Sequence, residues 1–147
     1  MPKSTHNYLK YWRVIRYFIK AKYSLSQGDL DMLLFLHSEK YFSKDKFLEF
    51  DELLSWDTDR FDRLLRDNWI IVFRKRVGKN KTLYGLSYKT IRVITSIYKK
   101  LNGEEIPTSL SGNPMFAKNV SYTDKVYRNF IKSMNKFIRQ QRHQTPE

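Results

Sequence analysis

Five basic side chains crowd the stretch from Arg74 to Lys81, namely Arg74, Lys75, Arg76, Lys79 and Lys81. Gly78 and Asn80 interrupt them, and these are the residue types a hairpin tip needs where φ turns positive. Cations on a tight tip suit contact with phosphate oxygens or entry into a minor groove, which positions a protein on nucleic acid more than it specifies a sequence. There are three histidines (His6, His37 and His143) and no cysteine, so no metal constellation, disulfide or thiolate nucleophile is available. No paired carboxylate or histidine site for general acid–base work can be singled out, and Gly78 and Gly85 make no phosphate-binding loop. The expectation is a non-enzymatic protein with no cofactor and no metal.

Composition points the same way. The 147 residues carry a net charge of +13, with 41% hydrophobic and 16% aromatic residues. That is a folded chain, one domain by length, with the charge of a protein that lives near a polyanion. Nucleic acid is the first candidate and an anionic membrane surface the second. No apolar run reaches transmembrane length, and Met1–His6 is not followed by a signal-peptide core, so a cytoplasmic, nucleoid-associated protein is expected.

The elements that must hold the basic stretch follow from periodicity. A helix is expected over residues 7–22, with Tyr8, Tyr11, Trp12, Ile15, Phe18 and Ile19 as one stripe. Ser26 caps a second helix whose buried face holds Leu30, Leu33, Leu34 and His37. Ser43 caps a third, through Leu54, with Phe47, Phe50, Leu53 and Leu54 at helical spacing. Ser55-Trp56-Asp57 is a turn, and Asp57 or Ser55 caps a short helix in which Phe61, Leu64, Leu65 and Trp69 recur. Ile70-Ile71-Val72-Phe73 is a strand, and Thr82–Leu86 returns beside it.

Tyr88–Leu101 is a further helix, stopped by Asn102-Gly103. Residues 102–121 form a long loop anchored by Ile106, Leu110, Met115 and Phe116. A basic amphipathic helix over 122–142, capped by Thr123 or Ser121, closes the chain with Tyr127, Phe130, Ile131, Met134, Phe137 and Ile138 on its apolar face. The fold class is therefore mainly α with one β-hairpin. Helix, turn, helix and basic hairpin in that order read as a winged helix-turn-helix with extra terminal helices, the alternative being an ordinary α+β hairpin with a solvated tip. For the terminal apolar stripes, core packing and a subunit interface stand as equal readings.

Residues 25–101 resemble winged-helix regulators of the multiple-antibiotic-resistance (MarR) type. The matching residues are Leu25-Ser26-Gln27 with Asp31 and Leu33-Leu34, then Phe50–Trp56 at the family's third helix and Asp57–Leu65 at its recognition helix. Ile70-Ile71 running into Arg74-Lys75-Arg76, and Leu83–Ser87 before a helix, match the two sides of its wing, here residues 70–87. The resemblance implies a transcription regulator that binds double-stranded DNA as a homodimer held by its first and last helices. Trp12, Ile15, Phe18, Ile19, Tyr127, Phe130, Ile131 and Met134 would form that interface. Thr58, Asp59, Arg60 and Arg63 would face the major groove, arginine reading guanine, while Arg74, Lys75, Arg76, Lys79 and Lys81 contact the backbone.

Three departures from the family pattern bear on function. The recognition helix is about one turn short, the last helix and the loop before it have no counterpart, and the helix-turn-helix is acidic. Asp29, Asp31, Glu39, Asp45, Glu49, Asp51, Glu52, Asp57, Asp59, Asp62 and Asp67 outnumber Lys40, Lys44, Lys46, Arg60, Arg63 and Arg66 there. Acid at the start of a reading helix repels phosphate. The alternative is an architectural or interaction module of a nucleoprotein or phage assembly, binding nucleic acid non-specifically through wing and terminal helices, or docking an acidic protein partner, with the acidic helices meeting another protein.

Overall fold

The computed structural model of the chain describes residues 8–54 and 57–144. Ser55 and Trp56, expected in a turn, lie outside the described residues. The described residues form six α-helices and a three-stranded antiparallel sheet, an order compatible with a winged helix. The chain divides into two compact units, Ser26–Thr95 and a terminal unit of Met1–Leu25 with Ser96–Glu147.

The central unit begins with α2 (Gln27–Glu39), whose N-cap Ser26 accepts the Asp29 N–H at 3.1 Å. Lys40, at φ +69°, ends the helix and turns the chain into β1 (Tyr41–Phe42). Helix α3 (Lys44–Leu53) starts at Ser43, which accepts from Lys46 N–H at 3.2 Å. Helix α4 (Arg60–Arg66) has only seven residues. It stops because Asn68 adopts φ +62° and the Trp69 N–H reaches back to the Leu64 carbonyl at 2.9 Å, a hydrogen-bonded αL stop. Trp69, expected to continue the helix, therefore lies beyond it.

Strands β2 (Ile70–Arg74) and β3 (Leu83–Leu86) form the expected hairpin, and β1 adds a third strand in the order β1-β3-β2. The single hairpin expected from the sequence is thus one strand short. Tyr41 pairs with Gly85 and Phe42 with Tyr84, two pairs that periodicity cannot reveal. Phe61 ties α4 to its neighbours by edge-to-face contacts, its ring 5.0 Å from both Phe47 of α3 and Tyr84 of β3. Helix α5 (Tyr88–Leu101) then begins, its first turn held by Thr90 Oγ1, which donates to the Trp69 carbonyl at 2.6 Å.

The terminal unit pairs α1 (Tyr8–Tyr23) with α6 (Tyr122–Gln144). Ser121 caps α6 by accepting the Asp124 N–H at 3.1 Å. Tyr17 stacks on Tyr127 with ring centres 3.9 Å apart, and its hydroxyl donates to Asp124. Burial first, and the hydrogen bond to Asp124 second, push the Tyr17 phenol up to about 12. The long loop is tied down by two asparagines. Asn135 of α6 accepts the Ile106 N–H at 3.0 Å and donates to its carbonyl at 2.9 Å. Asn113 donates to Pro107 and opens a 3-10 turn, Pro114–Phe116. Ile106 and Met115 are buried as anchors, whereas Leu110, expected among them, is 61% exposed.

Candidate nucleic-acid interface

The hairpin displays its cations because β2 is anchored only at its first residue. Ile70 is fully buried, while Ile71, Val72, Phe73 and Arg74 are all exposed. Register slips between Val72 and Arg74, so Phe73 leaves the ladder and stacks on Tyr41 at 3.9 Å. At the tip, Val77 and Asn80 exchange backbone hydrogen bonds at 3.0 and 3.2 Å. Gly78 alone takes a positive φ, +59°; Asn80, expected to share that role, does not.

Two of the five tip cations have local work. Arg76 Nε donates to the Gly78 carbonyl at 3.1 Å, and Lys81 pairs with Asp45 of α3. Arg74, Lys75 and Lys79 are exposed and make no ion pair among the described residues. With Arg76, whose side-chain bond is to a neutral carbonyl, they are the tip cations without a carboxylate partner among the described residues.

The short helix is arranged differently. Arg60, expected to face a groove, is 2% exposed. Its Nε donates to Asp29 at 2.9 Å and its Nη1 to Asp51, both buried carboxylates. Arg63, on the next turn, donates to Asp29 at 2.7 and 3.1 Å and to Asp57 at 2.9 Å. Asp57 was expected as an N-cap, yet Asp59 holds that position without a side-chain hydrogen bond, and Asp57 instead accepts the Asp59 N–H at 3.0 Å.

Arg60 thus joins α2, α3 and α4 from within, while Arg63 ties α4 to α2 from the surface, and the placement of Arg60 at a reading surface is corrected. The physical reason is that a buried guanidinium without carboxylate partners would carry a large desolvation cost, and here Asp29 and Asp51 supply them. Hydrogen bonds to Asp29 and Asp57 raise the Arg63 guanidinium above its ordinary value. Burial would lower Arg60, but its bonds to Asp29 and Asp51 outweigh that and raise it. Bonding from Arg63, then from the Asp59 N–H, holds Asp57 below the usual carboxylate range.

Thr58 and Asp59, just before α4, are exposed, as are Asp62 and Arg66 on it, so the start of α4 offers two acids and its end one base. Asp29 and Asp51 were not singled out as site residues. A signal existed, because Asp51 stands four residues after Phe47 and so falls on the buried side of α3, an unusual place for a carboxylate without a partner.

The dimer expectation divides in the same way. Ile15, Phe18, Ile19, Ile131 and Met134 are buried within the single chain, because the stripes of α1 and α6 lie in one core. They are packing residues here, not surface. Trp12 and Tyr127 are half-buried, and Phe130 stays 58% exposed. His37, expected at the core or its boundary, is exposed.

Charge is unevenly shared. In Ser26–Thr95, 13 Lys and Arg meet 11 Asp and Glu, a net of +2; the remaining residues hold 15 against four, a net of +11. Most of the excess therefore belongs to the terminal unit rather than to the hairpin. No helix among the described residues is long and apolar enough to cross a membrane, and none of their His, Asp or Glu side chains form a group that could hold a metal ion. No protein-family model, curated protein or solved structure matches the chain.

Proposed function

We propose that the protein is a non-enzymatic, winged-helix nucleic-acid-binding module that grips the phosphate backbone of double-stranded DNA through its wing. The observation that carries this reading is the contrast between two sets of cations. Arg74, Lys75 and Lys79 stand exposed on the hairpin with no ion pair among the described residues, while Arg60 and Arg63 are bound to Asp29, Asp51 and Asp57. Backbone contact needs exposed charge and little else; base readout needs donors that reach an edge. The acidic start of α4 supports a role in meeting a second protein of the same assembly.

A second reading is the dimeric, MarR-like transcription regulator. The succession α2, β1, α3, α4 and hairpin, with sheet order β1-β3-β2, favours it. Base reading would then fall to Thr58, Asp59 and the exposed part of Arg63.

Selection of duplexes from a random pool at two salt concentrations separates the two. Backbone binding enriches no sequence and collapses as salt rises, because released counterions dominate the free energy. An inverted repeat that survives higher salt would establish the regulator instead.

A further inference from the structure

In the terminal unit, α1 and α6 leave a groove of about 510 Å³ between them. Val14, Val126 and Met134 wall it together with the rings of Tyr11, Phe130 and Phe137. Phe130 and Phe137 remain 58% and 40% exposed, although an interior was available to the same helix for Ile131, Met134 and Ile138. Among the described residues, the ionisable side chains on this lining other than tyrosine are cations. Lys10 Nζ lies 5.4 Å from the centre of the Tyr11 ring and 5.3 Å from that of Phe137. Arg13 Nε donates to the Tyr127 hydroxyl at 3.3 Å. Among the described residues no carboxylate lines the groove.

We propose that this groove binds a single-chain amphipathic carboxylate, an anion of the fatty-acid type, with its tail among the rings and its head at Lys10 and Arg13. The volume falls in the range of small-molecule sites, and an apolar wall with a few convergent polar groups is their usual make-up. A second copy of the chain fits the face poorly. A two-fold contact would press together two units that each carry 15 basic against four acidic residues. A nucleic-acid backbone satisfies the charge but leaves the apolar wall wet. Only an occupant with both an apolar body and a negative head matches both parts of the lining. This inference is independent of the wing.

The test is calorimetric titration of the full chain with dodecanoate below its micellar concentration, with dodecanol and dodecyltrimethylammonium as chain-matched controls and circular dichroism on the same samples. Saturable one-site binding of dodecanoate to the folded chain is expected, with the cationic control weaker by at least about tenfold. The double variant Lys10→Gln, Arg13→Gln should weaken dodecanoate by about tenfold while leaving dodecanol unchanged, since it removes only charge-assisted contacts. Ser133→Trp, at an exposed position on the groove wall, should block all three ligands. Equal binding of the three chains, indifference to both variants, or unfolding by dodecanoate would overturn the proposal. So would a dimer that Phe130→Glu dissociates in a chain that does not bind dodecanoate.

Discussion

Arg60 and Asp29 meet at 2.9 Å in the interior of the central unit, 31 residues apart in the chain. Asp51 takes another nitrogen of the same guanidinium, and Arg63 shares Asp29 from outside. The acid surplus of this region therefore has a structural component: three of its carboxylates hold two arginines that fasten α4 to α2 and α3. A seven-residue helix makes too few turns to be stable alone, so these bonds and the Phe61 ring fix its position.

Removing one partner of a buried ion pair leaves the other uncompensated. Arg60→Met should therefore cost roughly 3–5 kcal/mol of stability in urea unfolding. Arg60→Lys should recover little of it, because one ammonium cannot span Asp29 and Asp51 as the planar fork does. A loss below about 1 kcal/mol for Arg60→Met, the range of exposed pairs, would show that the cluster does not hold α4.

Asp57 gives the cluster a dependence on acid. Its folded value lies below its ordinary 3.8, so it binds a proton more weakly when folded. Its contribution is present above pH 3.8 and is lost as pH falls through the folded value below that. Urea unfolding of the protein and of Asp57→Asn should therefore differ by a constant amount from neutral pH down to about pH 4 and converge below it. Curves that stay parallel into the acid range would contradict this assignment.

Tyr17 places the opposite dependence in the terminal unit. Its folded value rises from 10.0 to about 12, so the phenol is fully protonated in both states below pH 10 and its contribution is intact there. Between pH 10 and about 12 the unfolded chain ionises first, and that stability is lost. In Tyr17→Phe the difference from the parent should shrink across this window. A difference that grows as pH rises would mean that the fold does not hold the phenol protonated, by burial or by its bond to Asp124.

Local signals were legible in the sequence where the structure obeys them. Ser26, Ser43 and Ser121 each accept the N–H three residues on, as hydroxyls before an apolar stripe should, and α5 occupies residues 88–101 as its spacing indicates. The hairpin, too, follows from β-branched runs around Gly78. What escaped depends on distant partners. Strand β1 is two residues long and exists by pairing with β3. Arg60 and Arg63 look like surface charges until Asp29 is brought beside them, and nothing within a helical turn marks that meeting. Phe18 and Met134 illustrate the same limit: periodicity gives the face, and only the fold shows that the face is already covered.

We propose that the wing, not the α4 arginines, carries the contact with nucleic acid. The most direct measurement is the slope of log binding constant against log salt for a random-sequence duplex, in the parent and in Lys75→Gln and Lys79→Gln. If the wing grips phosphate, the slopes become shallower by about one for each substitution, with binding weakened alike on every sequence tested. Parent-like slopes and affinities in both variants would contradict it, and would remove the wing from the interface.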